Sequence, residues 1–129
     1  MSNPHYIEEM FSEAFHVRGW AYAPYSDHIV GATLRSKDGE VYAGANVENS
    51  SYGVTMCAER NALGTAVSNG PIEFSDILIV SSGEDPAWPC GMCRQALAEF
   101  GNMRVWTGQN TDELEWKMLS DLLPERFDL

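Results

Sequence analysis

Apolar residues recur at Ile7, Met10, Phe11, Ala14, Phe15 and Val17, the spacing of a helix with one hydrophobic stripe. Asn3-Pro4 ahead of them offers a capping residue and a first-turn proline, and Arg18-Gly19 marks the predicted end. After Ala21-Tyr22-Ala23-Pro24-Tyr25-Ser26 the pattern changes. Ile29 to Arg35 reads as a strand, Lys37-Asp38-Gly39 as a turn and Val41 to Val47 as its hairpin partner, an antiparallel edge. Cys57 to Val67 returns to helical character and is stopped by Ser68-Asn69-Gly70-Pro71. Ile77-Leu78-Ile79-Val80 lacks polar alternation, as expected of a strand covered by helices on both faces. A helix from Cys93 to Phe100, ended by Gly101-Asn102, and a strand from Met103 to Thr107 continue the strand, helix, strand order. Leu114 to Leu119 fits either a last strand or a helix, and Leu122-Leu123-Pro124 closes the packed part. No repeat or linker interrupts the chain, so residues 1–129 are expected to form a single α/β domain.

At 129 residues and 44% hydrophobic composition, the chain can bury one continuous core without disulfide staples. Its 19 acidic and 8 basic residues give a formal charge of −11, which repels a phosphate backbone and argues against a nucleic-acid partner. The N-terminus shows no basic segment followed by an apolar stretch, and no window is long enough for a membrane span. A cytoplasmic protein without membrane association is the expectation.

Cysteine changes the picture from fold to chemistry. There are three, an odd number, and two stand in Cys90-Gly91-Met92-Cys93, so a disulfide framework gives way to metal or redox chemistry. Alone, Cys-x-x-Cys fits a redox pair, half a structural zinc site or a catalytic one. Cys57-Ala58-Glu59 ahead of Pro89-Cys90-Gly91-Met92-Cys93 is the ligand pattern of zinc-dependent deaminases in their three-cysteine form. Cys57, Cys90 and Cys93 would hold Zn²⁺ as thiolates and leave a fourth tetrahedral position for water. A structural knot would instead need His5, His16 or His28 as a fourth ligand and would give Glu59 no task. Cys57 and Cys90 are each expected to lead into a helix, where the dipole and free N–H groups stabilise a thiolate. Three thiolates on Zn²⁺ leave a net negative charge, which Arg60 is placed to offset by hydrogen bonding to sulfur. Glu59 is the expected proton shuttle: it takes a proton from the activated water, C4 of a pyrimidine is attacked, and the glutamic acid protonates N3 before ammonia leaves.

The chain resembles the small homotetrameric cytidine deaminases across Ala21 to Phe127. The likeness rests on Ala21-Tyr22-Ala23-Pro24-Tyr25-Ser26, Gly44-Ala45-Asn46-Val47-Glu48-Asn49, Ser51-Tyr52-Gly53, Cys57-Ala58-Glu59-Arg60, Pro89-Cys90-Gly91-Met92-Cys93-Arg94-Gln95 and Leu122-Leu123-Pro124. It implies a three-layer α/β/α fold with a mixed five-stranded sheet and a free cytidine or deoxycytidine substrate. It also implies ribose recognition by Asn46 and Glu48, a backbone contact from Ala58 to the base, and active sites shared between subunits through Tyr52 and Phe127. From the residues alone, Asn46 and Glu48 could equally be the solvated edge of a hairpin, and Tyr52 and Phe127 core aromatics.

Two positions depart from that family. His28 stands where a phenylalanine usually packs on the base; it can still stack, and it adds a donor and an acceptor. Trp88 stands before Pro89-Cys90 where a small residue is common; it either reshapes the pocket or packs at a subunit contact. The segment from Thr107 to Met118 also matches the family poorly. Two other functions therefore stand beside the first: deamination of modified cytosine nucleosides, N4-substituted or blasticidin-S-like, and a non-catalytic zinc-binding interaction domain.

Overall fold

The computed structural model describes residues 3–129. Five strands form one mixed sheet: β1 (Val30–Ser36), β2 (Val41–Ala45), β3 (Phe74–Ser81), β4 (Arg104–Thr107) and β5 (Glu115–Met118). Their order is β2-β1-β3-β4-β5, with only the β3–β4 pair parallel. The crossover between those two carries α3 (Gly91–Ala98); α2 (Ala58–Ser68) joins β2 to β3, α1 (Ile7–Val17) precedes the sheet and α4 (Leu119–Leu122) follows it.

The unbroken apolar run in β3 has the physical cause the sequence suggests, helices on both faces. Ile77 and Ile79 face a core that includes Ala58 and Ala62 of α2 and Leu97 of α3. Leu78 and Val80 face Ile7, Met10 and Ala14 of α1. The architecture is thus three-layer α/β/α, with α2 and α3 together on one face.

Two glycines set how closely the helices approach. A methyl group on Gly31 would stand 2.0 Å from the Ala14 carbonyl oxygen of α1, and one on Gly44 would stand 2.4 Å from the Ala62 nitrogen of α2. Each strand backbone therefore touches helix backbone, which only glycine permits.

Some boundaries differ from expectation. The first helix begins at Ile7, not at Asn3-Pro4. The Pro4 carbonyl instead closes a turn onto the Ile7 N–H at 3.0 Å, and the Tyr6 cap is tethered by its hydroxyl to Asp76 at 2.8 Å. Phe15 is exposed, so the buried stripe narrows to Ile7, Met10 and Ala14. The second strand ends at Ala45 instead of Val47: the Asn46 N–H still donates to the Val30 carbonyl of β1, but from Val47 on the chain bonds to Met56 and Tyr22 instead. The third helix starts at Gly91, ahead of Cys93, and the ambiguous 114–119 stretch contains a strand running directly into α4.

Gly44→Ala is expected to destabilise the protein by about 1–3 kcal/mol through overpacking. Gly64→Ala, inside α2 with no atom within 4 Å of the added methyl, is expected to stabilise it by about 0.5–1 kcal/mol. Urea denaturation midpoints measure both, and a Gly44→Ala protein as stable as wild type would refute the close-approach account.

Candidate active site

Sheet topology gathers three strand ends at one end of the sheet. β1 starts at Val30 opposite Ser81, the last residue of β3, and Gly31 pairs with Ala45, the last residue of β2. The two helices on the neighbouring face begin here, each with a cysteine at its cap: Cys57 before α2 and Cys90 before α3. Cys93 lies in the first turn of α3. The sulfurs of Cys57, Cys90 and Cys93 lie within 4.8 Å of one another, with Cys57 Sγ and Cys90 Sγ 3.9 Å apart.

Three sulfurs this close cannot all carry charge without a cation between them. Hydrogen bonding from the Cys93 thiol, helped by Arg60, pulls Cys57 down to about 5, while the same bond and burial push Cys93 up. A borderline-soft divalent cation removes that conflict by binding all three as thiolates. Among the described residues no histidine or carboxylate joins the cluster, so the donor set suits zinc with one coordination position left for a non-protein ligand. Arg60 supports it as expected: its Nη2 lies 3.6 Å from Cys57 Sγ and donates to the Thr55 carbonyl at 3.1 Å.

Glu59, in the first turn of α2, is 5% exposed. Burial pushes its carboxyl up to about 7, and the charge on Cys57 adds to the rise against the pull of its own backbone N–H. A carboxyl near neutrality beside a metal centre can both accept and return a proton.

Cys57, one sulfur of the cluster, and Glu59 line a pocket of about 250 Å³, whose walls include His28, Val30, Asn46, Ala58 and Trp88. A second hollow of about 370 Å³ adjoins it through Thr55 and is lined by Tyr25, Ser26, Glu48, Asn49 and Tyr52. Asn46 and Glu48 both reach toward the 25–30 segment, from extended chain beyond β2. Asn46 accepts from the Val30 N–H at 2.8 Å and donates to the His28 carbonyl at 2.9 Å. Glu48 accepts from the backbone N–H groups of Tyr25 and Ser26 and from the Ser26 hydroxyl, which first among these holds its carboxylate below the usual range. Both side chains thus brace the wall that carries His28. The His28 ring packs over Gly83, where an added methyl would come within 3.2 Å of its Cε1.

Trp88 lines the pocket, and Lys117 Nζ lies 4.7 Å from its ring centroid, a cation–π contact from β5. Phe127 is not brought to the pocket of its own chain. It is exposed, and its backbone is held by Gln95 of α3. The sequence reading missed two supporting residues. Thr107 accepts from the Ala87 N–H at 2.9 Å and so fixes the loop bearing Trp88, while Asn61 donates to the Ala45 carbonyl at 2.8 Å and ties α2 to the end of β2. Both contacts join segments far apart in the chain, and no local motif announces them.

The family model for the cytidine and deoxycytidylate deaminase zinc-binding region matches residues 4–109. A cytidine deaminase of Sporosarcina psychrophila is 42% identical over 123 residues, covering 94% of this chain and 90% of its own. One from Halalkalibacterium halodurans is 43% identical over 120 residues, covering 92% and 91%. The crystal structure of cytidine deaminase from Burkholderia pseudomallei superposes with a TM-score of 0.87 at 40% identity, covering 97% of this chain and 100% of that one.

One zinc per chain is expected by elemental analysis. Replacing any one of Cys57, Cys90 or Cys93 with alanine should reduce it to well below half, whereas Glu59→Gln should retain it. Full zinc in a cysteine variant would contradict the three-sulfur site.

Proposed function

Because the chain belongs to the cytidine and deoxycytidylate deaminase family, we propose that it hydrolyses free cytidine and deoxycytidine to uridine and deoxyuridine, releasing ammonia. The observation that carries this reading is a buried carboxyl, Glu59, lining one pocket with Cys57, whose sulfur belongs to a three-sulfur cluster suited to zinc. Zinc, when bound, supplies the Lewis acidity that makes water nucleophilic near neutral pH. Glu59 does the proton work: its carboxylate takes a proton from the attacking water, returns it to N3, and passes the second to the departing amino nitrogen. The C4–N bond breaks, and the water oxygen becomes the C4 carbonyl. The Ala58 backbone meets the base, and the His28 ring lies along it.

Asn46 and Glu48 recognise the ribose hydroxyls. Supporting this, Glu48 borders the hollow next to the metal pocket, and its carboxylate is ionised and fixed by three donors, so it meets a hydroxyl without reorganising. Neither hollow has a lysine or arginine in its lining, which favours a nucleoside over a nucleotide.

The same reading takes residues 1–129 as one domain of a cytoplasmic enzyme of pyrimidine salvage, acting as a homotetramer with shared active sites. In support, Tyr52 is 76% and Phe127 69% exposed, free to meet a neighbouring copy, and Tyr52 borders the sugar hollow. Among the described residues no helix is long and apolar enough to cross a membrane.

A second reading, deamination of modified cytosine nucleosides, is favoured by one observation: the imidazole of His28 and the indole of Trp88 both line the pocket that would receive the base. Rates on cytidine, N4-substituted cytidines and blasticidin S, compared among wild type, His28→Phe and Trp88→Ser, distinguish the two. A substrate profile identical in all three proteins would remove both side chains from specificity.

Glu59→Gln is expected to lower kcat for cytidine by about 10²–10⁴-fold while zinc stays bound, and cytidine monophosphate should be a far poorer substrate than cytidine for the wild type. Ammonia release measures both. Zinc-loaded protein that turns over no cytosine nucleoside would instead support a non-catalytic interaction domain.

A further inference from the structure

The three metal-binding cysteines are held in unequal ways. Cys93 is buried and fixed by packing, and Cys57 is half-buried and bonded through sulfur to Arg60. Cys90 is exposed and has neither support, so the position of its sulfur depends on its backbone. That backbone is gripped by Arg94. The Arg94 Nε donates to the Pro89 carbonyl at 2.6 Å, and the Arg94 backbone N–H donates to the Cys90 carbonyl at 2.9 Å. These carbonyls belong to the two peptide units on either side of the Cys90 α-carbon; the second is held by the opening backbone bond of α3, and the first by the Arg94 side chain.

The other arm of the guanidinium leads to the C-terminal segment. Arg94 Nη1 donates to the Leu122 carbonyl at 2.9 Å, at the last residue of α4. The next residue extends the attachment: the Gln95 amide donates to the Phe127 carbonyl at 3.0 Å and accepts from the Phe127 N–H at 3.2 Å. Arg126 closes it by donating to the Ala98 carbonyl at the end of α3. Arg94 takes part in no ion pair among the described residues, so its planar fork is committed to carbonyl oxygens. A guanidinium can bridge two carbonyls on different elements in a fixed geometry, which a single ammonium reproduces poorly.

We propose that Arg94 is a positioning residue for the metal centre, through which the Leu122–Phe127 segment acts as a strap holding the Cys90 peptide, and with it the Cys90 sulfur, in ligating geometry. The proposal rests on the zinc reading of the cysteine cluster and not on which nucleoside is the substrate. It gives the C-terminal segment a task within its own chain.

The test follows zinc release from the loaded protein to a chelating dye, together with the thiolate-to-metal absorption of the cobalt(II)-substituted protein, for wild type, Arg94→Met, Arg94→Lys and the exposed control Glu99→Gln. Arg94→Met should lose zinc about 10–100-fold faster than wild type, the usual cost of removing a group that orients a ligand. Arg94→Lys should fall between the two, the cobalt bands should shift in the order of the release rates, and Glu99→Gln should match wild type. Wild-type release and unchanged cobalt bands in Arg94→Met would overturn the proposal. Should that variant not fold, Arg94→Lys with wild-type release and spectrum overturns it equally. A wild-type protein that binds zinc but deaminates no nucleoside defeats the substrate reading alone, whereas one that binds no zinc defeats both.

Discussion

Two helix starts packed side by side on one face of a sheet are the constraint on which everything else depends. Cys57 and Cys90 cap α2 and α3, and the sulfurs meet only because both helices lie against the same side of β3 and β1. Helix caps suit this task, since the local dipole and unpaired N–H groups favour negative charge. The arrangement then creates its own problem: three sulfurs within 4.8 Å repel one another once ionised. A cation resolves it, and Arg60 compensates the excess negative charge that remains.

The ends of the strands supply the rest of the pocket. Because β1 runs antiparallel to both of its neighbours, its first residue lies beside the last residues of β2 and β3, so the segments around Asn46, His28 and Trp88 emerge at one place. Asn46 and Glu48 spend hydrogen bonds on the 25–30 backbone and thereby hold a wall that would otherwise be mobile loop. Preorganisation of this kind is what a site needs if it is to meet a sugar and a base without first paying to order itself.

Much of this was legible in the residues. The β3 run Ile77-Leu78-Ile79-Val80 announced helices on both faces, and the Cys57-Ala58-Glu59 and Cys90-Gly91-Met92-Cys93 spacing announced the metal, because both signals are local and periodic or short. The opening helix was misplaced at its start because Asn3-Pro4 makes a good cap on paper, while Tyr6 is claimed by Asp76 across 70 positions of sequence. The end of the second strand was overextended because the hydrophobic pattern cannot tell which neighbour a strand pairs with, and Val47 pairs away from β1. Arg94, Gln95 and Thr107 were invisible as supports for a similar reason: their partners, Leu122, Phe127 and Ala87, are brought to them only by the fold.

All of these features converge on a zinc ion held by three sulfurs with one position free for chemistry. X-ray absorption at the zinc edge of the loaded protein tests it most directly. Three sulfur neighbours at about 2.3 Å and one oxygen or nitrogen at about 2.0–2.2 Å are expected, the light atom changing environment when a nucleoside analogue is added. A fourth protein ligand, such as a histidine nitrogen that no added nucleoside disturbs, would make the site structural and contradict a catalytic centre.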